Sequence, residues 1–221
     1  MSIGKGKVLN VAVSVGLATG IYGISFGALS VTAGFDIWQT IALSTLMFSG
    51  GSQFAFVAVG LTDLTTAITS SWLVGIRNGF YALSMAPVIG PKGLYRVLAA
   101  QLTIDESTAV SMSREELSEK KQGFWLTGLS VFVFWNSATI LGAYLGSQIG
   151  DPKTFGLDAA AAAALFALVW PRIQKSVGAM IATAAIGSSL LLSLVLPSGP
   201  PVLIGAAVAV AVGFLIDRGK K

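Results

Sequence analysis

The chain has 221 residues, 54% of them hydrophobic and 11% charged, with no cysteine and no histidine. Its mean hydropathy of +0.78 lies far from the composition of soluble domains and marks an integral membrane protein, while the missing Cys and His argue against disulfides, thiolate chemistry and metal sites. The net charge of +4 falls in stretches that flank apolar runs, where membrane orientation explains it, and forms no basic stripe for nucleic acid.

At about 20 residues per span, the length accommodates roughly seven helical segments in a single polytopic membrane domain. The predicted segments are Val8 to Gly34, Ile37 to Leu61, Leu64 to Ile89, Gly123 to Ile149, Thr154 to Trp170, Val177 to Leu196 and Val202 to Ile216. The punctuation between them, "GFD" at 34–36, "TD" at 62–63, "GDPK" at 150–153, "WPR" at 170–172 and "PSGPP" at 197–201, reads as caps, stops and turns. Asp36, Asp63 and Asp151 are capping residues in this reading.

The first segment follows "MSIGKGK", which resembles the first region of a signal peptide, but its apolar run is long and has no clear cleavage motif, so it is expected to stay on the protein. Gly16, Gly20, Gly23 and Gly27 fall on one helix face. They either pack against another helix or break this one and fold it back. Orientation bears on that choice. If all seven segments cross and Lys5 and Lys7 are cytoplasmic, then Lys92, Arg96, Arg114, Lys120 and Lys121 face outward, against the positive-inside tendency. Either the N-terminus lies outside or one early segment does not cross, with the first segment the main suspect.

In the second segment, "MFSGGSQFAFV" places Gly50, Gly51, Ser52 and Gln53 inside an apolar run. Each glycine weakens a helix by roughly 1 kcal/mol. The run is either a tight crossing or a discontinuous helix whose freed amides receive an anionic group. The third segment carries Arg77 near its midpoint, at a cost of about 2.5 to 3.5 kcal/mol in a bilayer, with Gly75, Asn78 and Gly79 around it. Two adjacent interrupted spans of this kind point to a midplane binding site.

The polar stretch from Pro91 to Gln122 is expected to be a loop containing helix: "PKGLYRVLAA" lies on the surface and "SREELSEKKQ" opens a helix with a serine cap. Within it, Asp105 and Glu106 of "LTIDESTAVS" read by themselves as a solvated helix start. In the fourth segment Trp135, Asn136, Ser137 and Thr139 either join helices or line a cavity. Asp158 of "FGLDAA" opens an otherwise uncharged helix and is the expected distant partner of Arg77, unless it is a plain cap. No phosphate loop, nucleophile elbow or zinc motif is present in the sequence.

Taken together, "FSGGSQF" at 48–54, "GIRNGFYALSMAP" at 75–87 and "LTIDESTAV" at 102–110 resemble the AzlC-like large subunits of bacterial branched-chain amino acid exporters, including the BrnF-type proteins, with weaker echoes at "WNSATILGAYLG" and "GLDAAAAAALFALVWP". Gly50, Ser52, Gln53, Phe54, Arg77, Tyr81 and Pro87 match the family's pattern, while Gly75 and Asn78 replace its Asn and His. The resemblance adds weight to Asp105 and Glu106. It implies secondary export of leucine, isoleucine, valine and sometimes methionine across the cytoplasmic membrane, and a small AzlD-like membrane subunit of about four helices as partner.

The expected protein is therefore an all-α integral membrane transporter subunit, without catalytic, metal or cofactor site. Amides around Gly50, Gly51 and Ser52 receive the substrate carboxylate, Arg77 either shares that role or is held in place by an acid, Gln53 and Asn78 orient the substrate, and Phe54, Phe80 and Tyr81 border it. Asp105, Glu106 or Asp158 pairs with the ammonium group or carries a coupling proton. The alternatives are a passive channel or a non-transporting scaffold.

Overall fold

The computed structural model describes residues 5–90, 92–148, 173–196 and 200–218, together with 166 and 170. Among these residues the chain is helical, with α1 Lys5–Thr32, α2 Ile37–Leu46, α3 Gly50–Val59, α4 Leu64–Ile89, α5 Leu94–Gln101, α6 Asp105–Met112, α7 Leu117–Gln148, α8 Ser176–Leu192 and α9 Pro200–Arg218. By length and composition α1 from Val8 and α7 are long and apolar enough to cross a membrane. The segment from Thr154 to Trp170, with Asp158 and Asp151 before it, lies almost wholly outside the described residues.

Helix α1 is continuous, so its glycines do not break it. They form a seam with α7. Gly16 lies over Ser130, Gly20 over Phe134, Gly23 over the Trp135 carbonyl and Gly27 over Thr139, while Gly142 and Gly146 of α7 answer with close approaches to Ile24 and Ala28. A Cβ on Gly20 would stand 2.8 Å from that of Phe134, so only hydrogen at these positions lets the backbones meet. Numbering rises along both partners of every pair, which means that α1 and α7 run parallel.

The second predicted segment is two helices that double back on each other, not one continuous span. Asp36 caps α2 by accepting from the Gln39 amide at 2.8 Å, and α2 then runs back along α1, with Ser30 bonded to Thr40 at 2.7 Å and Ser44 donating to Thr139 at 3.1 Å. The chain turns at Met47–Ser49, where Phe48 meets Phe132 of α7. Helix α3 returns, bringing Phe54 to Phe26, Phe56 to Phe35 and Gly60 to Ala33. This is a helical hairpin whose two ends lie beside the end of α1.

A second hairpin comes from the opposite direction. Helix α4, capped by Asp63, descends antiparallel to α3 until Met85 and Ile89 pack with Ala99 and Phe124. Helix α5 rises to Gln101, whose side-chain amide donates to the Thr45 carbonyl near the first hairpin's turn, at 2.6 Å. After a turn at Leu102–Ile104, α6 descends to Ser111, which donates to the Lys120 carbonyl at 2.9 Å. Gly128 admits Leu102 at this turn and Gly123 admits Val110 below it. The stretch expected on the surface is exposed along nearly all of α5, with only Ala99 buried, and α6 forms the hairpin's inner arm. Ser113 bonds back to the Val110 carbonyl and closes α6, so α7 begins at Leu117 and not after Ser113.

Both turns lie beside the middle of α7, and side chains meet part of the backbone that each turn frees. At the first, Gln53 Nε2 donates to the carbonyls of Leu43 and Ser44, and Ser49 pairs with Ser52. At the second, Thr103 donates to the Ala99 carbonyl and Ser107 to that of Leu102, while the Ile104 amide donates to Ser107. Helices α8 and α9 pack mainly on each other.

Candidate functional site

Between the two turns lies a cavity of about 570 Å³, bordered by α1, α3, α4, α6 and α7. That volume suits a small ligand. Its polar lining includes Thr19, Ser49, Arg77, Asn78, Tyr81, Asp105 and Glu106, and its apolar walls come from Phe48, Phe54, Ile104, Val131 and Trp135.

Arg77 Nη2 pairs with Asp105 Oδ2 at 2.9 Å, with the two side chains 33% and 37% exposed. The guanidinium reaches this position because Gly51 has no side chain: a Cβ there would sit 3.1 Å from Nη2 and from Val74. Gly50 makes the same kind of room for Trp135, whose benzo ring stands 3.2 Å from where a Cβ would be. The Gly50–Gly51 pair is thus the floor on which an arginine and a tryptophan rest. It also starts α3, whose first amides have no intrahelical acceptor and whose Ser49 makes no side-chain cap.

Polar atoms that are buried and without a hydrogen-bond partner gather here. They are Arg77 Nε and Trp135 Nε1 as donors, and Asn78 Oδ1 and Asp105 Oδ1 as acceptors. Glu106 adds a second carboxylate to the cavity wall and faces Thr19 of α1. The residues that carry these donors and acceptors all line the one cavity.

Of the residues singled out from sequence, Gly50, Gly51, Phe54, Arg77, Asn78, Tyr81, Asp105 and Glu106 line this cavity. Ser52 and Gln53 do not. Ser52 borders a separate groove between α3 and α4, beside Gly75, and Gln53, fully buried, ties α3 to the end of α2. Phe80 is 64% exposed on the outer face of α4, so it is not a wall. Helix α4 is continuous through "GIRNG", which corrects the expectation of two interrupted spans: the second interruption lies at Leu102–Ile104. The Arg77 partner expected at Asp158 is Asp105 among the described residues, and the solvated helix start read for Asp105 and Glu106 is a cavity wall. Thr19, Tyr22, Ile104 and Val131 were not singled out. A polar Thr19 and Tyr22 one turn apart, next to the glycine face of α1, are the trace they leave in the sequence.

Three relatives bear on the chain's identity. An "Uncharacterized membrane protein" of Archaeoglobus fulgidus is 30% identical over 125 residues, 57% of this chain and 55% of its own length. Another of that description from Helicobacter pylori is 28% identical over 65% of this chain and 63% of its own. The "Branched-chain amino acid transport protein AzlC" of Bacillus subtilis is 24% identical over 77% of this chain and 69% of its own. This chain thus spans only about half to two thirds of the first two relatives' lengths. No solved structure matches. The AzlC protein family profile matches residues 14–149, from α1 to the end of α7 and so across both hairpins and the cavity, and the chain therefore belongs to the AzlC family.

Proposed function

We propose that this chain is the large subunit of a secondary transporter that exports branched-chain or similarly small apolar amino acids across the bacterial cytoplasmic membrane, with a small membrane subunit of about four helices. The observation that carries this reading is the cavity's mixed polarity: buried donors at Arg77 Nε and Trp135 Nε1, and buried acceptors at Asp105 Oδ1 and Asn78 Oδ1, in one apolar-walled space. An amino acid zwitterion supplies both complements. Its carboxylate is received by the α3 amides and the guanidinium, its ammonium by Asp105 and Asn78, and its side chain by Phe54, Ile104 and Val131. In this reading Glu106 holds the charge left uncompensated by Arg77 and carries the coupling proton.

Topology is consistent with it. Because the first hairpin re-enters, Lys92, Arg96, Arg114, Lys120 and Lys121 share the end of the bundle at which α1 begins, and Asp36 and Asp63 share the other. Placing the basic end in the cytoplasm satisfies the positive-inside tendency without moving the N-terminus outside.

The test is efflux of leucine, isoleucine, valine and methionine from bacteria lacking their own exporters and loaded with the corresponding dipeptides, with this chain alone and with its neighbouring small subunit. Accelerated efflux of at least one of them only with both is expected. No acceleration with both proteins inserted would overturn the reading, and flux without exchange against trapped unlabelled amino acid would identify a channel instead.

A further inference from the structure

We propose that Trp135 is a substrate-binding residue, its indole N–H completing the donor set for the carboxylate. This rests on the amino acid reading of the cavity and assigns to α7 a contact with the ligand.

Trp135 is 4% exposed and lines the cavity, yet Nε1 has no hydrogen-bond acceptor. A buried indole N–H nearly always finds a partner. The ring cannot turn away to seek one. Phe26 stacks on it at 6.1 Å, Phe54 meets it edge-on at 6.3 Å, and Gly50 closes the third side at 3.2 Å. Gly23 packs against its own carbonyl, so the backbone beneath it is fixed by the seam with α1.

The ring meets Gly50 with its benzo tip, Cη2 standing 3.2 Å from where a Cβ would be and Cζ2 and Cζ3 both 3.7 Å. The indole lines the same cavity as the start of α3 and Arg77, so α3, α4 and α7 each bring a donor-bearing group to it. A donor can serve only an acceptor, and the one strong acceptor of a branched-chain amino acid is its carboxylate. Packing alone explains the ring but not a locked polar edge, because phenylalanine would fill the same aromatic cluster without burying an N–H.

The test uses Trp135→Phe and, at the same position, benzothienylalanine, which keeps the bicyclic shape and puts sulfur in place of N–H, so that the question survives if the phenylalanine variant fails to insert. Equilibrium binding of leucine, valine and methionine to purified protein is read for each. Loss of a hydrogen bond to the group that all three share is expected to weaken binding about tenfold for all three alike. Unchanged affinities, or a loss that depends on side-chain size, would overturn the proposal and leave Trp135 as a shape element. Failure of the unaltered protein to bind any of the three would instead count against the amino acid reading itself.

Discussion

Hairpin α2–α3 turns through Phe48, Ser49, Gly50 and Gly51 and offers backbone amides and hydroxyls at its tip, whereas hairpin α5–α6 turns through Leu102, Thr103 and Ile104 and offers Asp105 and Glu106. One tip is electropositive by virtue of a helix start, the other electronegative by virtue of carboxylates. Arg77, on the helix between them, is pressed onto the first by Gly51 and paired with the second through Asp105. In the proposed reading, the pair of hairpins makes a zwitterion site: side chains meet part of the backbone freed at each tip, and the residual polarity of opposite sign is left for a ligand to bridge.

The comparison breaks most severely at Arg77. Arg77→Leu leaves Asp105 in the cavity wall without its cation and is expected to lower transport by about 100-fold or more. Measured by thermal unfolding in detergent, the double variant Arg77→Leu/Asp105→Leu should be more stable than either single one, because neither charge is then orphaned. Next comes Gly51→Leu, which drives side-chain atoms into the guanidinium and Val74; transport falls about tenfold or more as Arg77 leaves its place, an effect read in efflux assays. Asp105→Asn, in contrast, keeps the shape of the second tip and should raise the half-saturation concentration for leucine without the folding loss.

The two glutamines sharpen the contrast at a smaller scale. Gln53→Leu removes two hydrogen bonds within the first hairpin, although the Leu43 carbonyl keeps the Met47 amide, and should cost about 2 kcal/mol, whereas Gln101→Leu removes one, to the Thr45 carbonyl, and should cost about 1 kcal/mol. Both are read as shifts in unfolding temperature. The smallest effect belongs to the rims. The Thr66 hydroxyl and amide hold the Asp63 carboxyl below the usual carboxylate range. A lowered folded value means that this cap stabilises above the unfolded value of about 4 and fades as pH falls through the folded one. Asp63→Ala should therefore flatten the acid limb of a stability profile at the first hairpin's rim, with no change at the lysine-rich rim of the second.

Much of this was written in the sequence. Composition gave the membrane, the caps at Asp36 and Asp63 marked helix starts, and the glycines inside "MFSGGSQF" marked a discontinuity, because local chemistry alone sets those features. The second hairpin was hidden. "TIDES" has the pattern of an ordinary solvated helix start, and only the tertiary placement of Leu102 on Gly128 and of Asp105 against Arg77 makes it a buried turn. Gly75 and Gly79 looked like a break because glycine lowers helix propensity, but α4 gains more from packing on α3, where Gly75 admits Ser52, than the propensity costs. Glycines 16 to 27 in α1 show the same override on a larger scale. Their spacing alone pointed to a seam and left a break open, and the matching glycines at 142 and 146 decide for the seam.

The most direct test of the opposed hairpins uses the absence of native cysteine. Single cysteines at Ala33, Thr62 and Lys92, all exposed, are reacted with a membrane-impermeant maleimide in intact cells and in inverted vesicles. The account predicts that Ala33→Cys and Thr62→Cys label from one face, because the intervening hairpin re-enters, and that Lys92→Cys labels from the other. Labelling of positions 33 and 62 from opposite faces would mean that Ile37 to Leu61 crosses the membrane, and would contradict the account of a site framed by two tips.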